Sequence, residues 1–567
     1  MNSTFLYALS VGYAHLAAWG DLLDRINVFP VADGDTGCNL RMTLSPLRHT
    51  ERNIDHIIHD LLFQARGNSG NIASAFFQPF IREGTQSVGD AVRQGRDCAW
   101  KAVPDPRPGT MLTFFDALVD SSCLPWNQET IKDRLSCLAE AVRCTMHQQD
   151  KLRQAGVVDA GALGMYLFFE GFFPEFLHVD FFAPSMTEKF GDLIQIDTSY
   201  QVSVDHGYCI DAVYKGDLQE PDKFLSSLGE SVITYQEGDY LKVHFHTQDR
   251  DNARQQFTSS GEVISWSEDN LYTQTKEFNS PIQQGPIHIM TDAAGSLTRT
   301  EAKRKNITLL DSYITINNLS SPETCLTADD LYKAMLSGIK VSTAQASRME
   351  RFCYYQQVME SYERVLYLCV GSVYTGNYQT VLDWKREYDP QDRLTVIDTG
   401  AASGRLAVLA LAAASFAERA SSCQEVIDFS EEAMSRAEEY IFLDKLEYLA
   451  AGGRISKASA FLGDLLSMKP VVTPAPDGAR KVGLCKSRKD QEKFALKSLE
   501  SKLKKDEKAL ILLEYSDNAP ELEELSETLQ AKYRKAHIMF VPLSLTSGAH
   551  MGPGTWAIAF LPLQGKV

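Results

Sequence analysis

Two stretches of this chain combine residue types at spacings suited to chemistry on phosphate and on metal. The first is N-V-F-P-V-A-D-G-D-T-G-C-N, residues 27–39, which sets Asp33 and Asp35 on either side of Gly34 and follows them with Thr36 and Asn39. Carboxylates at i and i+2 cannot share a helix face. On a glycine-bent loop they can converge on one hard cation. Mg²⁺ suits such a site, because it takes one or two protein carboxylates and fills its shell with water and substrate phosphates. Thr36, Asn39 and nearby backbone N–H groups would offer donors to those phosphates. The same pattern also fits a solvated turn that opens a helix. The second stretch is L-K-V-H-F-H-T, residues 241–247, with His244 and His246 two apart. On a strand they face the same side. With Cys209 from another strand-like segment they make a zinc-type donor set, although two surface histidines give the same spacing.

The elements that must carry these residues change along the chain. Up to about residue 185 helical spacing dominates, as at 54–65, 71–81 and 131–147. Polar, glycine-rich breaks interrupt it at 65–71 (A-R-G-N-S-G-N), 106–113 (P-R-P-G-T-M-L-T) and 157–164 (V-V-D-A-G-A-L-G). Gly67 and Gly70 bracket Asn68 and Ser69 just before an apolar-periodic run, an arrangement that aims N–H groups and a helix N-terminus at an anion. Strand-like alternation then appears at 200–204, 208–213 and 240–247. From about Gly285 short apolar strands (287–291, 307–316, 365–370, 394–398, 509–513) alternate with helices (406–419, 423–438), the α/β signature. Polar breaks recur there at 342–347, 371–376, 452–456 and 550–554, and their hydroxyls, His550 and Arg454 could converge on a carboxylate.

Composition bounds the rest. The 567 residues suggest three or four domains, and 44% hydrophobic with 23% charged residues is an ordinary globular balance. A formal net charge of −18 argues against nucleic acid or anionic lipid as a partner. The start, M-N-S-T-F, lacks the basic n-region of a secretion signal. The apolar run 406–417 is too short for a transmembrane segment. Eleven cysteines without a C-x-x-C pair suit reduced thiols, so the expected location is cytoplasmic.

N-x-F-P-V-x-D-G-D-T-G-x-N, A-R-G-N-S-G, G-T-x-L-T and V-V-D-A-G-x-x-G, in that order, resemble the nucleotide-binding domain of the dihydroxyacetone-kinase (DhaL-like) family, particularly its fatty-acid kinase branch. The resemblance covers about the first 185 residues. It implies an all-α barrel of antiparallel helices holding ATP and two Mg²⁺, with Asp33 and Asp35 on the metal. It also places Thr36, Asn39, Asn68, Ser69 and Gly70 around the phosphates, and Gly109, Thr110 and Asp159 framing the nucleotide. Sugar-kinase members carry a further Asp where this chain has Val28, and Asn27 is the nearest polar group, a further candidate metal ligand. Pro108 stands where an acidic residue precedes the G-T. The Y-C and K-V-H-x-H-T elements are similar to those with which the fatty-acid kinase family binds zinc, which implies Cys209, His244 and His246 as Zn²⁺ ligands.

From about 286 to 564 the motifs T-D-x-x-x-x-L, S-T-A-Q-A-S, G-S-x-x-T-G-x-Y-Q, I-D-T, L-x-x-G-G-R-I-S and H-x-G-P-G resemble the DegV family. These are two-lobed α/β proteins that bind one long-chain fatty acid. The resemblance implies Thr343 and Ser372 on the acyl carboxylate, Arg454 and His550 close by, and Arg488 at a kinase-docking position. Ala293, Ala344 and Thr375 each replace a usual serine. The expected organisation is therefore multidomain: a DhaL-like helical barrel (1–187), a small α+β middle domain (188–282) and a two-lobed α/β DegV-like domain (283–567). The implied function is phosphorylation of a fatty acid to acyl phosphate, with the carrier fused to the kinase and a downstream acyl-phosphate acceptor enzyme as partner. Relatives of the kinase domain suggest a homodimer. Alternatives are a lipid-binding or sensing protein with a degenerate or regulatory kinase half, and a dihydroxyacetone-type kinase for another small substrate.

Overall fold

The computed structural model describes residues 2–49, 51–84, 86–121, 127–202, 205–216, 218, 220–278, 285–445, 447–451, 468–475 and 477–563. The chain divides into two compact units, Met1–Ser280 and Pro281–Val567. Among the described residues no helix is long and apolar enough to cross a membrane.

The first unit begins with helices. Ala160–Leu177 runs through its centre and is buried continuously from Ala160 to Glu170, which explains its apolar sequence on every face. Asn2–Ala18 packs along it. Phe76, Phe115, Phe168, Phe169 and Phe172 fill the space between helices, with Phe76 and Phe115 stacked at 4.0 Å. The helices expected at 54–65, 71–81 and 131–147 are Ile54–Gln64, Gly67–Gly84 and Ile131–Gln148. The 65–71 break is thus shorter than its polar sequence suggests, since Gly67 already opens a helix.

Within the same unit an antiparallel sheet follows, in the order Glu230–Glu237, Tyr240–Thr247, Tyr208–Lys215, Glu262–Asn270. Period-2 alternation sends Ile210, Ala212, Tyr214, Val243 and Phe245 to a core shared with Phe257 of the helix Arg250–Ser260. Cys209, Asp211, Lys242, His244 and His246 point the other way, toward the helical region, where Ile233 packs with Ala75 and Ala102. Burial on both faces makes Tyr240–Thr247 buried at every position after the first. The strand expected at 200–204 does not form at 200–202, and 203–204 lie outside the described residues. Asp197 turns the chain there, its carboxylate accepting from the N–H and hydroxyl of Ser199 (2.8 and 2.6 Å).

The second unit is α/β. One sheet is parallel, in the order Leu394–Asp398, Val365–Cys369, His288–Asp292, Ile307–Leu310. A second, mixed sheet runs Gly478–Cys485, Lys469–Ala475, Glu438–Phe442, Trp556–Pro562, Ala509–Tyr515, His537–Pro542. Tyr313–Ile316 lies between Leu319–Pro322 and Val341–Ala344 in a third, antiparallel sheet. The single strand expected at 307–316 is therefore two, in different sheets. Asp311 interrupts it, because its carboxylate accepts from the Thr324 N–H (2.8 Å) rather than facing a ladder. The helix expected at 423–438 ends at Met434, and Glu438 opens a strand. The apolar run 406–417 is part of the buried helix Ser403–Ala417.

Candidate active site and metal centre

Gly34 sits at φ +68°, a left-handed turn that glycine adopts without strain, and it lets Asp33 and Asp35 turn away from a common strand line. Asp35 occupies the cap position of the helix Thr36–Leu44 without capping it. That task falls to Asp24, from the preceding helix Gly20–Arg25, which accepts from the N–H of Gly37 (2.6 Å) and Cys38 (3.1 Å). The Asn27 amide donates to Asp33. Burial pushes both Asp33 and Asp35 well above the usual carboxylate range, and the neighbouring anions, Asp24 among them, add to it. Two half-buried carboxylates facing one cleft with this deficit of positive charge fit a hard divalent cation.

Gly67, at φ +61°, begins the next helix. A Cβ there would lie 2.1 Å from the Asn39 amide nitrogen, so glycine lets the two phosphate-type segments approach. Asn68 and Ser69 follow, and the Ser69 hydroxyl is buried with no hydrogen-bond partner in the structure. Gly70 packs instead of facing the opening, its missing Cβ leaving room for the Thr43 hydroxyl. Gly109 (φ +78°) donates to Thr113 Oγ1 (2.8 Å) and shapes the turn that presents Thr110. Asp159 caps the central helix by accepting from the Ala162 N–H (2.7 Å), and burial pushes its carboxyl up to about 7 against the lowering effect of those backbone donors.

These segments meet around one cleft of about 760 Å³. Asn27, Asp33, Asp35, Thr36, Asn39, Asn68, Ser69, Thr110 and Asp159 line it, as do Cys209 and His246 of the sheet, while Gly70, Gly109 and His244 stand behind its wall. A nucleotide of ordinary size fits a cleft of that volume.

Cross-strand register builds the second constellation. Cys209 pairs with His246 and Asp211 with His244, so all four side chains share one face. One donor atom from each of Cys209, His244 and His246 lies within 4.8 Å of the others, and Cys209 Sγ stands 3.8 Å from His244 Nδ1. Ligands of a tetrahedral zinc lie about 3.5 Å apart, given Zn–N and Zn–S bonds of about 2.0–2.3 Å. Burial and then His244 push His246 down to about 3, which keeps it in the neutral form that binds metal. Burial and the nearby anions Asp211 and Asp35 push the Cys209 thiol up, so a thiolate there calls for a cation. The donor set fits zinc.

In the second unit Thr343 and His550 come together, Oγ1 to Nε2 at 3.0 Å, at the end of Val341–Ala344 and the last turn of Leu545–Met551. Ser372 lies on the turn after Val365–Cys369, its N–H donating to Asp398 (3.0 Å). Asp292, the acid of the T-D motif, fixes that turn: it is fully buried and accepts from the Tyr367 hydroxyl, the Val370 N–H and the Asn377 amide. Arg454 lies outside the described residues. Arg488 is turned inward over the Trp556 ring, 4.9 Å from its centroid.

Family comparisons agree with this division. A family model described as "Uncharacterised protein, DegV family" matches residues 286–563, the DAK2 domain matches 30–173, and a middle domain of the fatty-acid-kinase type matches 198–278. A DegV domain-containing protein of Streptococcus pyogenes is 31% identical over 284 residues, 48% of this chain and 96% of that protein. The chain belongs to the DegV family. A second DegV domain-containing protein, from Clostridium perfringens, is 28% identical over 280 residues, 48% of this chain and 96% of its own length. A solved structure titled as fatty acid binding of a DegV family protein, from Thermus thermophilus, matches with TM-score 0.46 and 23% identity, covering 49% of this chain and 100% of its own. This DegV-family chain thus carries a DAK2 domain and a fatty-acid-kinase-type middle domain ahead of its DegV domain.

Motif spacing missed two residues in the first unit. Asp24 lies nine residues before Asp33, on another helix, and no local spacing marks it. Asp211 had a signal: it is two residues from Cys209 on one strand, hence on the same face.

Proposed function

We propose that this protein is a fatty-acid kinase, using Mg-ATP to convert a fatty acid held by its own DegV domain to acyl phosphate. The observation that carries the reading is the cleft itself. Four separated segments and one sheet face bring Asp33/Asp35, Asn68/Ser69, Thr110, Asp159 and Cys209/His246 to its wall. In this reading the helices close into a barrel around the nucleotide end, and the DegV domain forms two lobes about the acyl chain.

Asp33 and Asp35, with Asn27 orienting the former, would hold magnesium, which supplies charge neutralisation to the triphosphate. Cys209, His244 and His246 would hold zinc, which supplies Lewis acidity or rigidity at the cleft wall. Asn68, the free Ser69 hydroxyl and the backbone N–H groups of Asn68 and Ser69 in the first turn of Gly67–Gly84 bind phosphate oxygens. Thr36 and Asn39 add donors from the facing helix, and Thr110 and Asp159 border the nucleotide. Thr343 and His550 bind the acyl carboxylate, with Ser372 and Arg454 as further donors. A fatty acid is already ionised near neutral pH, so its oxygen attacks the γ-phosphorus without a general base. Catalysis then consists of placing the two substrates in line and stabilising charge on the transferring group.

The test begins with protein purified from cells, whose lipid is extracted and identified by mass spectrometry. The recovered acid is returned with Mg-ATP, and acyl phosphate is trapped with hydroxylamine. Bound fatty acid together with hydroxamate supports the reading. Bound acid without hydroxamate sinks the kinase assignment, and a pocket free of lipid sinks the choice of substrate.

A further inference from the structure

One buried carboxylate behind the cleft wall has no part in the reaction just described. Asp211 projects from the sheet into the helical region and is 5% exposed. One of its oxygens accepts from the Gly67 N–H (2.9 Å), the other from the Asn71 amide (2.6 Å). It thereby grips the first turn of Gly67–Gly84, the turn that presents Asn68 and Ser69. Lys242, 3.9 Å from Asp211, holds Ala65, two residues before that turn begins, its ammonium donating to the Ala65 carbonyl (2.7 Å). The phosphate-type loop is therefore fastened to the sheet at Ala65, Gly67 and Asn71.

The same carboxylate faces the metal-type cluster. His244 Nδ1 is 3.3 Å from Asp211 Oδ1 and 3.8 Å from Cys209 Sγ, and its Nε2 is buried with no hydrogen-bond partner, so the ring can donate to Asp211 through one nitrogen and offer the other to a cation. Asn68 Nδ2 in turn approaches His246 Nε2 to 3.5 Å.

We propose that Asp211 is a positioning residue that couples the Cys209/His244/His246 centre to the Gly67–Asn71 loop, so that metal and nucleotide bind cooperatively. This rests on the reading of the cleft as a nucleotide and metal site. A divalent cation at the cluster fixes His244 and adds positive charge beside the loop. Asp211 transmits that order to the amides facing the phosphates. The reverse follows by linkage: nucleotide on the loop tightens the grip on the metal.

The experiment measures the affinity of a non-hydrolysable Mg-ATP analogue for full-length protein, zinc-loaded and zinc-stripped, in wild type and Asp211→Asn. Amide hydrogen exchange at residues 67–71 is followed in parallel. Stripping zinc from the wild type should weaken nucleotide binding about tenfold, a typical coupling between sites, and speed exchange at 67–71. In Asp211→Asn the loaded-to-stripped ratio should fall below about threefold, with those amides fast in both forms. Wild type that binds both ligands with no linkage, or a variant that keeps the full ratio and slow exchange, overturns this coupling and leaves the kinase reading standing. Wild type that binds neither ligand overturns both. The wild-type comparison needs no substitution, so an absence of linkage there overturns the coupling even if the variant does not fold.

Discussion

Replacing Asp159 by Asn should raise stability by an amount that grows with pH. In the native protein this carboxyl is buried and its pKa is pushed up to about 7, from an ordinary value of 3.8. The unfolded chain releases the proton near the ordinary value and the native state only near the raised one. Between those two pH values the native state binds more protons, so stability falls as pH rises. The contribution is fully present below the unfolded pKa and lost once pH passes the folded one. Each pH unit inside that window costs about 1.4 kcal/mol, so wild type loses on the order of 3 kcal/mol between pH 5 and pH 7. Asn caps a helix as well as Asp does, and it can accept from the Ala162 N–H as Asp159 does. Its stability lacks this pH term. Calorimetric unfolding of both proteins at pH 5 and pH 8, without nucleotide, reads the difference. The gap in Tm in favour of the variant should widen by roughly 6–12 °C across that range for a unit of this size. A gap that stays constant, or narrows as pH rises, refutes the account of a carboxyl buried against ionisation.

Other perturbations test other parts of the cleft. Asp35→Ala should keep its copurified lipid yet lose hydroxamate-trapped turnover by about 100-fold or more, and undiminished turnover removes Asp35 from the metal site. Cys209→Ser should lower the zinc recovered per chain from about one towards zero by elemental analysis, so equal metal content in both proteins contradicts the centre. Gly67→Ala places a Cβ 2.1 Å from the Asn39 amide at φ +61°. It should cost about 1–2 kcal/mol for the backbone and about 1–3 for the clash, lowering Tm and weakening nucleotide binding together; an unchanged Tm shows that the loop has room the structure does not give it.

The sequence carried the ordered loop motifs, because they are local: D-G-D, R-G-N-S-G and H-x-H each need only a few consecutive residues to state their chemistry. It also carried the helical period of the first region and the α/β alternation of the second, since a buried face imposes its period on the chain. Local reading failed where partners decide. Alternation at 200–202 found no neighbouring strand and gave way to the Asp197 turn. The run 307–316 was divided between two sheets by the carboxylate of Asp311. Only the tertiary structure could show that Asp24 faces the helix behind D-G-D, that Gly70 and Gly109 shape the cleft wall without lining it, and that Asp211 reaches from the zinc-type strand to Gly67. Asp211 and Gly67 are 144 residues apart in the chain. No local spacing encodes such a contact. It arises because a sheet with one face on its own helices must bury the other, and here that second face closes on the loop meant for phosphate.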